Sequence, residues 1–219
     1  MTVVEPRLTL ERRLLQEYPL VIACDEVGRG ALAGPVAVGA AVVDASMARR
    51  RVPAGLRDSK LVPEARRPDV ARRAAAWVPE SAVGWSSSGE IDEIGILPAL
   101  ARAALRALAD LSARGVPVND ALIILDGNHD YITRNGGVGL NIRTVIKADR
   151  DCASAAAASV IAKYARDEIM IGLDDPGYRW MKNKGYASAE HREAIRELGL
   201  SAHHRASWAI ADAAAVPLF

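Results

Sequence analysis

Phenylalanine occurs once in the 219 residues, and Phe, Trp and Tyr together make up 5%. A core cannot then rest on large rings, so Val, Ile, Leu and Ala must fill it. Cysteine occurs twice, at Cys24 and Cys152. Two are too few for a disulfide framework, and no C-x-x-C or Cys/His spacing offers a zinc site. Both read as small buried hydrophobes. The four histidines show no ligand spacing such as H-x-x-x-H. No apolar run is long enough to span a bilayer, and no basic start leads into a cleavable apolar segment. The expectation is a cytoplasmic protein without membrane contact. An excess of charge is missing too: the formal net charge is +1. That excludes a broad basic footprint, so any nucleic-acid contact must rest on local charge. Half the residues are apolar and a quarter charged, the balance of a soluble globular enzyme. The length suits one domain, or one with a small appendage.

The apolar segments that are present arrange themselves as α/β. Residues 19–26 (PLVIACDE) and 35–43 (PVAVGAAVV) read as buried strands joined by a glycine-rich turn, an antiparallel pair. Residues 81–87 predict a third strand. Residues 121–125 (ALIIL) predict a central strand buried on both faces, and 142–147 (IRTVIK) a half-buried one. Helices are expected over 63–77, 90–113, 152–170 and 188–198. The third of these starts with small residues, which lets its backbone approach a sheet closely. This order implies a mixed sheet with helices on both faces.

Four acids stand where burial alone would not put them. Asp25 and Glu26 end the first strand, Asp126 ends the fourth, and Asp149 follows the fifth. Strand ends of an open α/β sheet meet in one crevice, where ligands usually bind. If strands one and four are neighbours, Asp25 and Asp126 come within reach of each other. Gathered carboxylates repel and raise one another's pKa unless a cation sits among them. An all-oxygen set favours Mg²⁺ or Mn²⁺ over zinc. Pairs of such ions, about 3.5–4 Å apart, serve phosphodiester hydrolysis. Singly, Asp126-Gly127-Asn128 is more often a plain turn and Asp149 more often a helix cap. Adjacent strand residues point to opposite faces, so Asp25 and Glu26 share a site only if the strand breaks at Glu26. Gly28 makes such a break conceivable.

Three further segments carry polar chemistry. Gly28-Arg29-Gly30 exposes main-chain groups that can approach a sugar-phosphate backbone and read a 2′-hydroxyl, with Arg29 able to hold a phosphate. Asp58-Ser59-Lys60 is a polar turn. Residues 179–192 interleave Arg179, Lys182, Lys184 and Arg192 with Trp180 and Tyr186, a pattern that suits phosphates and stacking.

These segments together resemble the ribonuclease HII family. The resemblance opens on Asp25-Glu26-Val27-Gly28-Arg29-Gly30 and Leu32-Ala33-Gly34-Pro35-Val36. It continues through Asp58-Ser59-Lys60-Leu61, Leu125-Asp126-Gly127-Asn128, Lys147-Ala148-Asp149, residues 156–163 (AAASVIAK) and residues 184–191 (KGYASAEH). It spans about residues 19–208. Val27, Ala31, Ala148 and Ala187 depart from the common pattern without removing a functional group. The resemblance implies a ribonuclease H-like fold: a five-stranded mixed sheet flanked by helices, with a small helical C-terminal region. Its divisions are an N-terminal extension or helix (1–18), a catalytic domain (19–174) and a substrate-contacting region with tail (175–219). It implies an endoribonuclease that hydrolyses the RNA strand of RNA–DNA hybrids and cuts 5′ of single ribonucleotides in duplex DNA. The ends left are 5′-phosphate and 3′-hydroxyl. Asp25, Glu26, Asp126 and Asp149 would bind Mn²⁺ or Mg²⁺. Gly28, Arg29 and Gly30 would sense the 2′-hydroxyl, Tyr186 would stack on the sugar of the following deoxynucleotide, and Ser59 and Lys60 would lie near the backbone. A monomer is expected. The apolar Leu218-Phe219 end resembles peptides that dock on bacterial sliding clamps. The alternatives are a structure-specific DNA nuclease of the same fold and a non-catalytic nucleic-acid-binding module.

Overall fold

The structure is a computed structural model that describes residues 5–208 and 210. The Leu218-Phe219 end lies outside the described residues. Among the described residues five strands form one sheet: β1 (Leu20–Val27), β2 (Val36–Asp44), β3 (Ser81–Ser86), β4 (Leu122–Asp126) and β5 (Asn141–Val145). Their order is β3-β2-β1-β4-β5. The first three form an antiparallel meander. β4 runs parallel to β1, and β5 parallel to β4. The mixed sheet expected from the sequence is the one found.

Among the described residues, eight α-helices accompany it: α1 (Thr9–Leu14), α2 (Arg67–Trp77), α3 (Ser88–Ile94), α4 (Ile96–Ala113), α5 (Ala148–Asp151), α6 (Ala153–Gly172), α7 (Trp180–Asn183) and α8 (Ala189–Leu198). α4 covers one face, where Leu100, Ala104, Leu108 and Leu111 meet Ile22, Val38, Ile123 and Leu125. α6 covers the other, its alanines packed on Val21, Ala23, Leu122, Ile124, Ala41 and Val43. Two glycines allow this closeness. A Cβ at Gly39 would stand 2.3 Å from the Ala158 carbonyl oxygen, and one at Gly84 would stand 1.9 Å from that of Ala103.

Three boundaries differ from the periodicity. The helix expected over 90–113 is two helices, because Gly95 takes φ 84° between them, and a Ser87–Glu90 capping box starts the first. The 142–147 strand ends at Val145 and is a largely exposed edge rather than half-buried. The first strand does not break at Glu26: Glu26 pairs with Val38 and Val27 with Ala37, and the chain leaves the sheet only at Gly28, φ 82°.

The first described residues belong to the same packed body. Leu8 and Leu14 enter the core. The buried Glu11 accepts hydrogen bonds from Ser154 N–H and Oγ–H at 2.9 and 2.7 Å. It caps α6, whose own preceding residue Cys152 supplies no side-chain cap. Both cysteines are buried, and burial pushes each thiol up to about 12, as inert core residues require. No helix among the described residues is long and apolar enough to cross a membrane.

Candidate active site

The parallel register pairs Cys24 with Leu125, so the next residues, Asp25 and Asp126, stand side by side where the pairing of β1 with β4 ends. Alternation puts both on the α6 face with Val21, Ala23, Leu122 and Ile124. Asp149 arrives from α5. Lys147 takes a left-handed conformation, φ 61°, to turn the chain out of β5. The Ala148 and Asp149 N–H groups then donate to Asp126 Oδ1 at 2.6 and 3.3 Å. Asp126 therefore anchors the turn that delivers Asp149. One carboxylate oxygen from each of Asp25, Asp126 and Asp149 lies within 4.8 Å of the others.

Burial raises the Asp25 pKa well above the usual range, and the charges of Asp126, Glu26 and Asp149 add to it. A hydrogen bond from Ser159 on α6 works the other way. Asp149 is pushed up to about 6, first by burial and then by Asp126 and Asp58. Lys60 Nζ lies 3.8 Å from Asp149 Oδ2 and offsets part of this. Three converging carboxylates, with Asp25 and Asp149 held short of easy ionisation, fit a hard divalent cation: all the donors are oxygen, and an ion would remove the repulsion.

Glu26 points to the other face, as an unbroken strand requires, and is not in the trio. Its carboxylate pairs with Arg29 at 3.4 Å. It is still felt at the site: burial raises its pKa, Asp126 adds to the rise, and Arg29 and Lys60 oppose it.

The Asp58-Ser59-Lys60 turn reaches this centre. Ser59 is buried, its hydroxyl 3.0 Å from that of Ser159, so a serine pair links the turn to Asp25. Beside the acids opens a cleft of about 450 Å³ lined by Asp58, Lys60, Asp126, Asn128, Lys147 and Asp149 among others.

The glycine loop after β1 is fixed by two fully buried arginines. Arg205 donates to the carbonyls of Gly28 at 2.6 Å, Arg29 at 2.8 Å and Gly34 at 3.1 Å. Arg166 on α6 donates to Pro35, Ala33 and Lys184 carbonyls at 2.9, 3.0 and 2.9 Å. Gly28 has no room for a side chain, since a Cβ would sit 2.2 Å from Arg166 Nε, whereas Gly30 faces open space. Leu32 and Ala33 N–H groups both donate to the Gly185 carbonyl, which brings Tyr186 beside the loop. Arg166 and Lys163 lie 5.2 and 5.4 Å from the Tyr186 ring centroid. The 179–192 segment is less of a contact surface than its composition suggests. Trp180 is buried and stacked on Tyr178 at 5.1 Å, and Lys184 is buried and paired with Glu64 at 2.9 Å.

Residues 22–211 match the family model described as Ribonuclease HII. The chain belongs to the ribonuclease HII family. Ribonuclease HII of Streptomyces griseus is 46% identical over 215 residues, covering 95% of this chain and 86% of that protein. Ribonuclease HII of Streptomyces coelicolor is 43% identical over 212 residues, covering 95% and 85%. Among solved structures, the ribonuclease H2 of Pyrococcus horikoshii is similar with TM-score 0.67 and 25% identity, covering 89% of this chain and 96% of that one. As a family member with an acidic metal-binding cluster, the protein is a metal-dependent endoribonuclease that cleaves the RNA strand of RNA–DNA hybrids.

Ser159 stood in the sequence only as a member of the 156–163 motif of a ribonuclease HII, and Arg166 and Arg205 stood outside every motif. Ser159 and Arg166 lie in the expected 152–170 helix, where a hydroxyl amid alanines was the available signal for Ser159 and the charged run ARDE hid Arg166. Arg205 gave none, because its partners are carbonyls far away in the chain, such as that of Gly34, 171 positions before it.

Proposed function

We propose that the protein cuts hybrids and also the 5′ side of single ribonucleotides in duplex DNA, with Mg²⁺ or Mn²⁺ held by Asp25, Asp126, Asp149 and Glu26. The observation that carries this reading is the convergence of Asp25, Asp126 and Asp149 at the strand ends, beside a clamped glycine loop. The bound ions would polarise the scissile phosphodiester and supply a nucleophilic water at neutral pH. Attack on phosphorus breaks the P–O3′ bond, so the ends are a 3′-hydroxyl and a 5′-phosphate. Asp126 keeps its orientation through the Ala148 and Asp149 N–H groups. Ser159 holds Asp25, and Lys60 brings positive charge to the phosphate side of Asp149. Exposed Arg29 and Gly30 offer main-chain groups to the 2′-hydroxyl, and Tyr186 offers a ring to the next sugar. Glu26 faces away from the trio while it is paired with Arg29, so it would complete the ligand set only by releasing Arg29 and reaching round the end of β1.

The test is a matched pair of duplexes, one with a single ribonucleotide and one with deoxyribose there. Cleavage should fall about 10⁴-fold on losing the hydroxyl, because a site built to bond a hydroxyl leaves buried groups unpaired without it. Equal cutting of both would favour a structure-specific DNA nuclease.

A second expectation concerns pH. Ligands must be deprotonated, so Mn²⁺ affinity should drop as pH falls through about 6, where Asp149 takes up its proton. Calorimetric titrations from pH 7.5 to 5 measure this; constant affinity would remove Asp149 from the ligand set.

A further inference from the structure

Two histidines outside the acid cluster meet in the C-terminal region. His191 and His204 are buried, and their Nε2 atoms lie 3.1 Å apart. The Ser201 N–H donates to His204 Nδ1 at 2.9 Å, and Ser201 Oγ, which accepts from the His203 N–H, lies 2.9 Å from the same nitrogen and is free to donate to it. That nitrogen is therefore bare and the His204 proton sits on Nε2. His204 Nε2–H then donates to His191 Nε2. His191 must carry its own proton on Nδ1, which lies 2.9 Å from the Tyr186 carbonyl and donates to it. The partners thus fix one direction of donation from Ser201 through both rings to Tyr186. A further proton on either ring would point at a donor and break the chain.

The other ends of the pair matter equally. The His204 main chain bridges to Ala33, and the next residue, Arg205, holds the Gly28, Arg29 and Gly34 carbonyls. The His191 N–H is held by Ser188 Oγ at the start of α8. Through the two rings, the Tyr186 segment is tied to the segment that fixes the glycine loop.

We propose that His191 and His204 are positioning residues for substrate recognition: their ordered hydrogen bonds set the Tyr186 main chain relative to the Gly28–Gly30 loop, and so set the affinity for a ribonucleotide–deoxynucleotide junction. This rests on the reading of Tyr186 as a residue that stacks on substrate sugar. The surroundings keep both rings neutral. Tyr178 meets both edge-on, at 6.1 and 4.7 Å, and Trp180 lies 6.0 Å from His204. Burial lowers the His191 pKa, with Asp175 opposing and Arg192 assisting. Burial, His191 and His203 push His204 to about 4, against the Ser201 hydrogen bond. The chain of donors is therefore intact at neutral pH.

Steady-state cleavage of a single-ribonucleotide duplex at neutral pH tests this in wild type, His204→Gln, His191→Asn, Tyr186→Ala and the double variant His204→Gln/Tyr186→Ala. His204→Gln should raise KM about tenfold, the effect of one lost hydrogen bond, and leave kcat within about twofold. In the Tyr186→Ala background the same change should leave KM alone. If Tyr186→Ala raises KM while neither histidine variant does, the positioning role is overturned. If the histidine change raises KM equally in both backgrounds, the pair serves the fold in general and the proposal fails. If Tyr186→Ala leaves KM unmoved, it is the stacking reading that fails. Independently, long-range ¹H–¹⁵N spectra of the wild type should show His204 protonated on Nε2 and His191 on Nδ1; the reverse tautomers would remove the chain of donors.

Discussion

Asp126→Asn is expected to abolish turnover while making the metal-free protein more stable. The variant amide oxygen still accepts from the Ala148 and Asp149 N–H groups, so the turn that delivers Asp149 survives. What disappears is one negative charge at the centre of the cluster. Losing several kcal/mol of transition-state charge stabilisation, at 1.36 kcal/mol per tenfold, lowers kcat by about 10³ or more. Stability moves the other way because Asp25 and Asp149 have pKa values raised partly by Asp126. A carboxyl whose folded pKa is raised holds its proton more tightly in the fold than in the unfolded chain. Stability therefore falls as pH rises from the unfolded value toward the folded one, and the penalty is complete above it. For Asp149 the window runs from 3.8 to about 6. Removing the Asp126 charge should raise Tm at pH 7.5, and the gain should shrink as pH drops through that window. His191 and His204 have depressed pKa values and destabilise the fold at acid pH, but they are common to both proteins and cancel in the difference. Saturating Mg²⁺ or Mn²⁺ should reverse the order, since wild type then gains more by binding. Calorimetry with and without metal measures both signs. An active Asp126→Asn enzyme, or one no more stable than wild type without metal, contradicts this account of the site.

Gly39→Ala should damage stability and catalysis together, and Gly84→Ala stability alone. Both place a methyl group against helix backbone rather than against a side chain that can swing away. Overpacking of this kind costs about 1–3 kcal/mol, and at this chain length each kcal/mol lowers Tm by roughly 2–4 °C. The two faces separate the consequences. Gly39 is paired with Asp25, and its new methyl would push on Ala158, the residue before Ser159. Relief by shifting α6 moves Ser159 from Asp25 and slackens Arg166 on the loop carbonyls. The misplacement should cost at least about tenfold in kcat/KM, because near-attack geometry tolerates little displacement. Gly84→Ala pushes on α4, across the sheet from the trio, and should leave kcat/KM of the folded fraction within about twofold. Denaturation midpoints and steady-state kinetics on the two variants distinguish them. Equal catalytic losses would mean that the site does not depend on how α6 seats against β2.

Much of the architecture follows from local pattern. Val36–Asp44 and Leu122–Asp126 are apolar runs with turn residues beyond them, and they became strands within a residue of expectation. The alanine-rich stretch became the helix packed on the sheet face that carries the acids. Asp25, Asp126 and Asp149 were marked by carboxylates standing where strands end. The sequence by itself thus determined the sheet, the packing helices and the chemistry of the donors, because periodicity and residue type are local properties. The tertiary structure alone decided which acids meet. Glu26 is a carboxylate like Asp25 and adjacent to it, yet strand alternation across an unbroken β1 turns it from the trio toward Arg29. It also decided what holds the recognition surface. Arg166, Arg205 and the His191–His204 pair act on main-chain carbonyls and on each other across long stretches of chain. A carbonyl has no residue-specific signature, so only the folded chain reveals which one a buried donor finds.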